Sequence, residues 1–572
     1  MNIRSQIKST VNCFFIFLTA FSFFIFHSSI SNGQVKCIPD SAYYATYFGS
    51  DDLGFSIAHD KFGNTYITGR TGDSTTSIAT KSAFQTSFGG GREDGFLAKF
   101  NCEGGLAWAT YFGGRGLDEG DALTTDDSGN VYLAGQTTSA AGIATKGAYQ
   151  TSLGNANGFI AKFNTDGVLK WATYYGGGSS GITSDKTTGS VYLTGNTYSS
   201  TGIATSGAYQ TNLWGTYDAY LAKFSPAGSL LWGTFYGGTS GYTGGTAVAL
   251  DSSGDVYFTG ITTSYSGLAT SGAYKTSGDS IWDDVFLAKF SSSGSRLWAT
   301  YYGGTDLDAS RAVATDGSNV YITGSTRSVS GIATAGAYQT SYSGGVYMGD
   351  AFIAKFNGSG SLIWATYYGG SNDDAGDGIN IDGIGNVYLA GQTNSLSGIA
   401  TKNAYQDTGN SLNGAAFVAR FSSSGVLEYG TYFGNENYAS ALSIDNTGNE
   451  YITGDGYILP TSGAFQTSSS GLFWAKIPIP LINTSTGFSP ISKAITDITF
   501  YPNPTTSILN IESGANIIQS FTIFDAMGKE FYTLQKLNSQ NQSINVNNFP
   551  SGIYIIKLGL ENGNYIGKFV KD

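Results

Sequence analysis

The chain has 572 residues, and its 29 Lys and Arg against 41 Asp and Glu give a formal net charge of −12. That acidity excludes nucleic acid as a partner, because contact with phosphates needs a basic surface. Charged residues make up only 12%, whereas aromatics reach 14% and Gly numbers 81, a balance that excludes a disordered chain and points to many short strands and tight turns.

The first element is a secretory signal. Arg4 and Lys8 precede the apolar run Val11–Phe26, and Ser31–Gly33 supplies small residues for cleavage. The run of 16 residues is short of the ~20 that span a bilayer, so residues 1–33 read as a cleaved signal peptide. Cleavage removes two bases and no acid, which leaves a net charge of −14. No later segment is apolar enough to cross a bilayer as a helix. Cys13 departs with the signal. Cys37 and Cys102 remain, an even number in an exported chain.

A repeat follows. Aligned on the aromatic residue of "WATYYGG", seven copies begin at Tyr44, Trp108, Trp171, Trp232, Trp298, Trp364 and Tyr429, spaced by 61 to 66 residues. Each copy predicts four strands, a to d. In the fifth these are "RAVATD", "NVYITG", "AFIAKF" and "LIWATYYGG", rich in β-branched and aromatic residues and separated by Gly, Asn, Asp and Ser. Strands b and c are apolar on both faces, so each sheet is covered on both sides. Four-stranded sheets packed face to face in a ring make a β-propeller. The chain opens with a lone d strand, "YYATYFG", and the last copy has only a, b and c, ending at "LFWAKIP". The N-terminal strand is therefore expected to complete the seventh blade and remove the open edge.

The pattern D-x-x-G-N-x-Y-x-x-G, then A-[YF]-Q-T, then [FY]-[LIV]-A-K-F, resembles the SBBP seven-bladed β-propeller repeat family of exported bacterial proteins. Six copies carry "IAT" or "LAT" where family members often carry Phe-Pro-Thr. The resemblance implies an all-β scaffold over residues 34–480 and implies no reaction. Residues 481–494 read as a polar linker. From residue 495 to 572 a new set of short strands begins, with "YPNP", "FDAMGK", "FPSGIYIIKL" and "GKFVKD". This segment resembles the C-terminal sorting domain of the type IX secretion system, with Asp572 departing from the usual basic end. That resemblance implies a small β-sandwich, the secretion machinery as a partner, and a protein released or held at the cell surface outside the outer membrane.

Candidate chemistry is sparse. His59 is the one histidine outside the signal and sits at a variable strand-a position, which reads as framework. Seven Asp at the end of strand a (Asp60, Asp126, Asp185, Asp251, Asp316, Asp382, Asp445) and seven bases in strand c (Lys99, Lys162, Lys223, Lys289, Lys355, Arg420, Lys476) read as turn caps and inter-blade partners. No catalytic set is identified. Function is expected where copies differ, in the b–c and d–a loops, which share one face. Trp214, Tyr217 and Trp282 fall there and are candidate ligand-binding residues for a glycan or a protein, the alternative being that the tryptophans plug gaps between blades. Asp306, Asp308, Asp373 and Asp374 are candidate calcium ligands, the alternative being a solvated acidic rim. A disulfide between Cys37 and Cys102 suits the compartment, although equivalent outer positions in neighbouring blades can exceed the ~7 Å Cα limit. The expected function is non-catalytic binding or adhesion at the bacterial surface. The alternatives are an extracellular polysaccharide-degrading enzyme and a self-associating structural surface protein.

Overall fold

A computed structural model describes residues 37–38, 43–49, 52–72, 78–278, 281–402, 404–409, 414–445, 448–468, 471–477, 498–514, 517–525, 530–560 and 563–571. The expected signal peptide and linker lie outside the described residues. The chain divides into two compact units, Met1–Leu481 and Ile482–Asp572.

The first unit holds seven four-stranded antiparallel sheets. In the first blade the strands are Leu53–His59, Thr65–Thr71, Asp94–Phe100 and Leu106–Phe112, and the next five blades repeat this order. The seventh takes its a, b and c strands from Asn435–Ile444, Glu450–Tyr457 and Leu472–Ile477, and its d strand from Tyr44–Tyr47. Tyr44 pairs with Lys476 and Tyr47 with Phe473. The ring therefore closes as the repeat pattern predicts. Each strand a packs against the a strands of both neighbouring blades, including the first against the seventh, so strand a is innermost. Every strand a carries a β-bulge, which sets apart Phe55, Asp121, Ser180, Thr246, Arg311, Asp377 and Ser440.

The core lies between blades. One cluster joins Tyr66, Leu97 and Trp108 of the first blade to Phe159, Ala161 and Ala172 of the second, and its counterparts recur around the ring. The strand-d tryptophan is the clearest inter-blade tie. Trp108 Nε1 donates to the Thr165 carbonyl at 2.9 Å, Trp171 to Pro226 at 3.0 Å, and Trp298 to Gly358 at 2.9 Å. In each case the acceptor lies in the c–d turn of the next blade. A glycine of that turn lies against the indole: a Cβ on Gly360, whose φ is +85°, would stand 2.9 Å from Trp298. Any side chain there would meet both the ring and a left-handed backbone.

The repeated charges act as the sequence suggests. Asp60 accepts from the Phe62 and Asn64 N–H groups at 2.9 and 3.0 Å and from the Tyr66 hydroxyl at 3.1 Å; Asp126 and Asp382 repeat this pattern. Lys99 donates to Thr165 and Lys355 to the Ser423 carbonyl, both in the next blade. Their ammonium groups also sit 5.4 and 5.0 Å from the centres of the Tyr66 and Tyr321 rings. His59 is held between Ser443 and Thr65 at 3.0 and 2.9 Å, and burial lowers its pKa to about 4. It is a neutral framework residue.

Cys37 and Cys102 are bonded, with Cα atoms 4.7 Å apart. The chain reaches this distance because Cys37 precedes the seventh blade's d strand and leans onto the c–d turn of the first blade. There the Ile38 N–H donates to the Cys102 carbonyl at 2.9 Å.

The second unit packs a three-stranded sheet (Thr499–Tyr501, Ile508–Glu512, Asn541–Asn545) and a four-stranded sheet in the order Glu530–Ser539, Ile518–Asp525, Gly552–Leu560, Gly563–Lys571. They enclose Leu509, Ile511, Phe521, Ile523, Ile556 and Leu558, a small β-sandwich.

Candidate functional site

The b–c and d–a loops meet on one face, where backbone bonds tie them together. Thr216 N–H donates to Gly241 O at 2.7 Å, and Thr243 N–H donates to Tyr217 O at 3.0 Å. These bonds fix Tyr217, just before strand c (Asp218–Phe224), beside Tyr242, just before the next strand a (Thr243–Leu250). The two rings stack with centroids 4.8 Å apart and planes 17° apart. Tyr198, which follows strand b (Val191–Thr197), adds a third ring 5.0 Å from Tyr217. Its 68% exposure places this row at the surface. Burial, with Tyr198 and Asp283 nearby, pushes the Tyr217 hydroxyl up to about 12. Burial, with the Asp283 carboxylate beside it, raises Tyr242 further. Both phenols therefore stay neutral and can donate.

Trp282 stands next to Asp283 in sequence and is 42% exposed. The Arg327 guanidinium lies 5.0 Å from its ring centre and is itself held by Asp306 at 2.9 Å. Trp214 is 46% exposed, on a loop whose N–H groups at Trp214 and Gly215 are capped by Asp218 at 2.8 and 3.0 Å. Among the described residues no ring packs against Trp214. The structure thus joins Tyr217 through Tyr242 and Asp283 to the Trp282 loop and leaves Trp214 beside the row. Neither tryptophan is buried between blades.

Tyr198, Tyr242 and Arg327 were not legible as site residues. Tyr198 and Arg327 fill one slot, the middle residue of T-x-S after strand b, where other copies have Thr138, Thr263 and Asn394. Variation at that slot within an otherwise fixed repeat is the signal that could have found them.

The four candidate calcium ligands do not gather into one set. Asp306 is taken by Arg327. Asp373 accepts three backbone N–H groups, from Tyr347, Met348 and Gly349, at 2.7 to 3.0 Å. Asp308 accepts from Gly304 N–H and Ser328 Oγ at 2.7 and 2.9 Å, and Asp374 from Gly370 N–H and Ser395 Oγ at the same distances. Among the described residues no three of His, Cys, Asp and Glu come together.

Nor do Asp308, Asp373 and Asp374 form a solvated rim, for all three are buried. Asp118, Asp308 and Asp374 are fully buried, because each caps a d–a glycine and a serine after strand b. Each also faces a second aspartate that opens strand c of the preceding blade. A methyl on Gly303 would meet oxygens of both Asp284 and Asp308 at 2.5 Å, and one on Gly369 would meet Asp374 at 2.6 Å and Asp350 at 3.0 Å. Burial, opposed by its hydrogen bonds and aided by the facing carboxylate, raises Asp308 and Asp350 to about 7. The same causes raise Asp94 to about 6.

Comparison with known proteins agrees with this architecture. Residues 107–140 match the family model described as a beta-propeller repeat (SBBP), and residues 499–572 match the secretion system C-terminal sorting domain. The chain carries SBBP propeller repeats and a type IX sorting domain. The sorting domain indicates secretion to the cell surface or exterior and implies contact with the type IX machinery. No curated protein matches the chain by sequence. Among solved structures, virginiamycin B lyase from Staphylococcus aureus is 10% identical with a TM-score of 0.36, covering 76% of this chain and 100% of that one. The Neurospora crassa Pan2 WD40 domain is 7% identical with a TM-score of 0.39, covering 77% and 98%. A PL25 ulvan lyase is 10% identical with a TM-score of 0.36, covering 72% and 92%. Likeness at this level says nothing of activity. Among the described residues no helix is long and apolar enough to cross a membrane.

Proposed function

We propose that this exported propeller is a non-catalytic binding protein whose ligand is a glycan held on the b–c and d–a face of the third to fifth blades. The observation that carries the reading is the surface row Tyr198–Tyr217–Tyr242, continued by Trp282 under Arg327. Rings fixed by backbone bonds offer flat apolar faces at little entropic cost, and their hydroxyls add donors beside them. That combination suits pyranose rings, which present one apolar face and an equatorial belt of hydroxyls.

A glycan array probed with the mature chain tests this. The expected result is selective binding that falls at least ~10-fold in Tyr217→Ala/Trp282→Ala, since each ring contributes ~0.5–1.5 kcal/mol beyond its buried area. Absence of any bound glycan, or undiminished binding by that variant, would overturn the reading.

A further inference from the structure

The junction between the second and third blades lacks an acid pair that three other junctions carry. At three junctions a pair of buried aspartates, Asp94 with Asp118, Asp284 with Asp308, and Asp350 with Asp374, fills the space below the d–a loop. At the second–third junction the corresponding residues are Asn157 and Gly177. The loop itself is also the shortest of its kind. Seven positions separate Thr173 from the bulged Ser180, against eleven between Thr110 and Asp121.

Two adjoining cavities open there, of about 220 and 150 Å³. Both include Asn155 and Ser199, and the larger reaches Tyr198, the end of the aromatic row. The sixth–seventh junction also lacks a strand-c acid: Ala415 stands where Asp350 does in the fifth blade, and a cavity opens beside Tyr43, Tyr405 and Tyr457.

The lining of the second–third cleft is chemically uniform. Gln136, Gln150, Asn155, Asn157 and Asn196 supply carboxamides, and no lining residue is charged. Gln136 and Asn196 occupy the same slot of their repeats, directly after the strand-b glycine, where the other copies have Arg70, Ile261, Ser325, Gln392 and Asp455. Their side-chain oxygens converge on Gly178: a methyl there would lie 3.8 Å from Gln136 Oε1 and 3.9 Å from Asn196 Oδ1. Gln136 is oriented by donating to Glu119. The side chains of Asn155, Asn157 and Asn196 make no hydrogen bond to the described residues. A carboxamide both donates and accepts, so several aimed into one cleft match vicinal hydroxyls, which also do both. Charge argues against an anionic sugar, because the cleft holds no base and the chain as a whole is acidic at −12.

We infer that the cleft between the second and third blades is a subsite for a neutral, uncharged polysaccharide. Its carboxamides Gln136, Asn157 and Asn196 read the hydroxyls, and Tyr198 passes the chain on to the Tyr217–Tyr242 row. This rests on the glycan-binding reading above and adds the ligand class and a second set of contacts.

Calorimetric titration of the mature full chain separates the two ideas. The probes are a mixed-linkage β-glucan and a galactomannan, with polygalacturonate and alginate as anionic counterparts. Asn157→Ala/Asn196→Ala removes carboxamides that the fold does not use, so its melting temperature should equal that of the parent. The expected result is binding of a neutral probe at least tenfold tighter than of either anionic probe, reduced at least tenfold in the double variant. Equal or tighter binding of an anionic probe would overturn the inference. So would unchanged affinity in Asn157→Ala/Asn196→Ala when Tyr217→Ala/Trp282→Ala weakens binding, an outcome that leaves the aromatic site standing. If no probe binds, both readings fall.

Discussion

Deleting residues 34–49 is expected to abolish cooperative folding of the propeller. Those residues carry the d strand of the seventh blade, and without them Leu472–Ile477 becomes an open edge. The strand is tied down at more points than its four paired residues. The Tyr44 hydroxyl donates to Gly104 O at 3.0 Å, the Tyr47 hydroxyl to Ile458 O at 3.1 Å, and Lys476 Nζ to Ile38 O at 3.2 Å. The disulfide then locks the closure, joining residues 65 apart in sequence. In the chain-entropy view such a loop restrains the unfolded state by ~4 kcal/mol. Cys37→Ser/Cys102→Ser is thus expected to keep the fold and lose ~2–4 kcal/mol in denaturant titration. The parent should show no free thiol when denatured without reductant. A truncated chain that melts cooperatively at the parent's midpoint would refute this closure.

Stability is expected to rise as pH falls from 8 to about 5. The sign follows from the paired aspartates. Asp308 and Asp350 titrate at about 7 in the fold, through burial and the facing acid, whereas an unfolded Asp titrates near ~3.9. Between those values the native state holds more protons than the unfolded one, so stability drops as pH climbs through 7. Each pair titrates as a unit. A limit appears at lower pH. Asp251 and Asp316 are also desolvated, yet the Lys289 ammonium and turn donors at Asp251, and turn donors at Asp316, outweigh that and hold them below the ordinary range. Their contribution is lost below pH ~4.

Asp350→Asn isolates the effect. Asp350 Oδ2 accepts from Ser343 N–H and Gln339 Nε2 at 2.8 and 3.0 Å, while its Oδ1 is buried with no partner. The amide keeps the accepting oxygen and places an NH₂ where the bare oxygen faces Asp374. Thermal melts should show Asp350→Asn more stable than the parent at pH 8, by ~1–3 kcal/mol, and nearly equal to it at pH 5. A variant less stable at both values would mean that the carboxylate is needed as such.

Much of the fold was legible because each copy repeats the same strand chemistry. "NVYITG" and "AFIAKF" are apolar on both faces, and the missing d strand of the last copy announced the closure. The turn-capping Asp60 series was legible for the same reason, since a cap acts within four residues of itself. What stayed hidden depends on neighbours in other blades. Only the packing shows that Asp94 and Asp118 each cap their own loop and that the two face each other. The site was half visible. Trp282 and Tyr217 broke the repeat and drew notice, but the stacking of Tyr217 on Tyr242 needs the loop register set by Gly241 and Thr243. The carboxamide cleft could not be read at all, because it arises from what the second–third junction lacks.

The most direct measurement is hydrogen–deuterium exchange of the mature chain, alone and saturated with a hexasaccharide of whichever neutral polysaccharide binds most tightly. Slowed exchange is predicted in residues 154–158, 176–180, 196–199, 213–217 and 240–243, all on the b–c and d–a face. Protection confined to the a–b and c–d turns, or to residues 498–571, would contradict a binding face built from those loops.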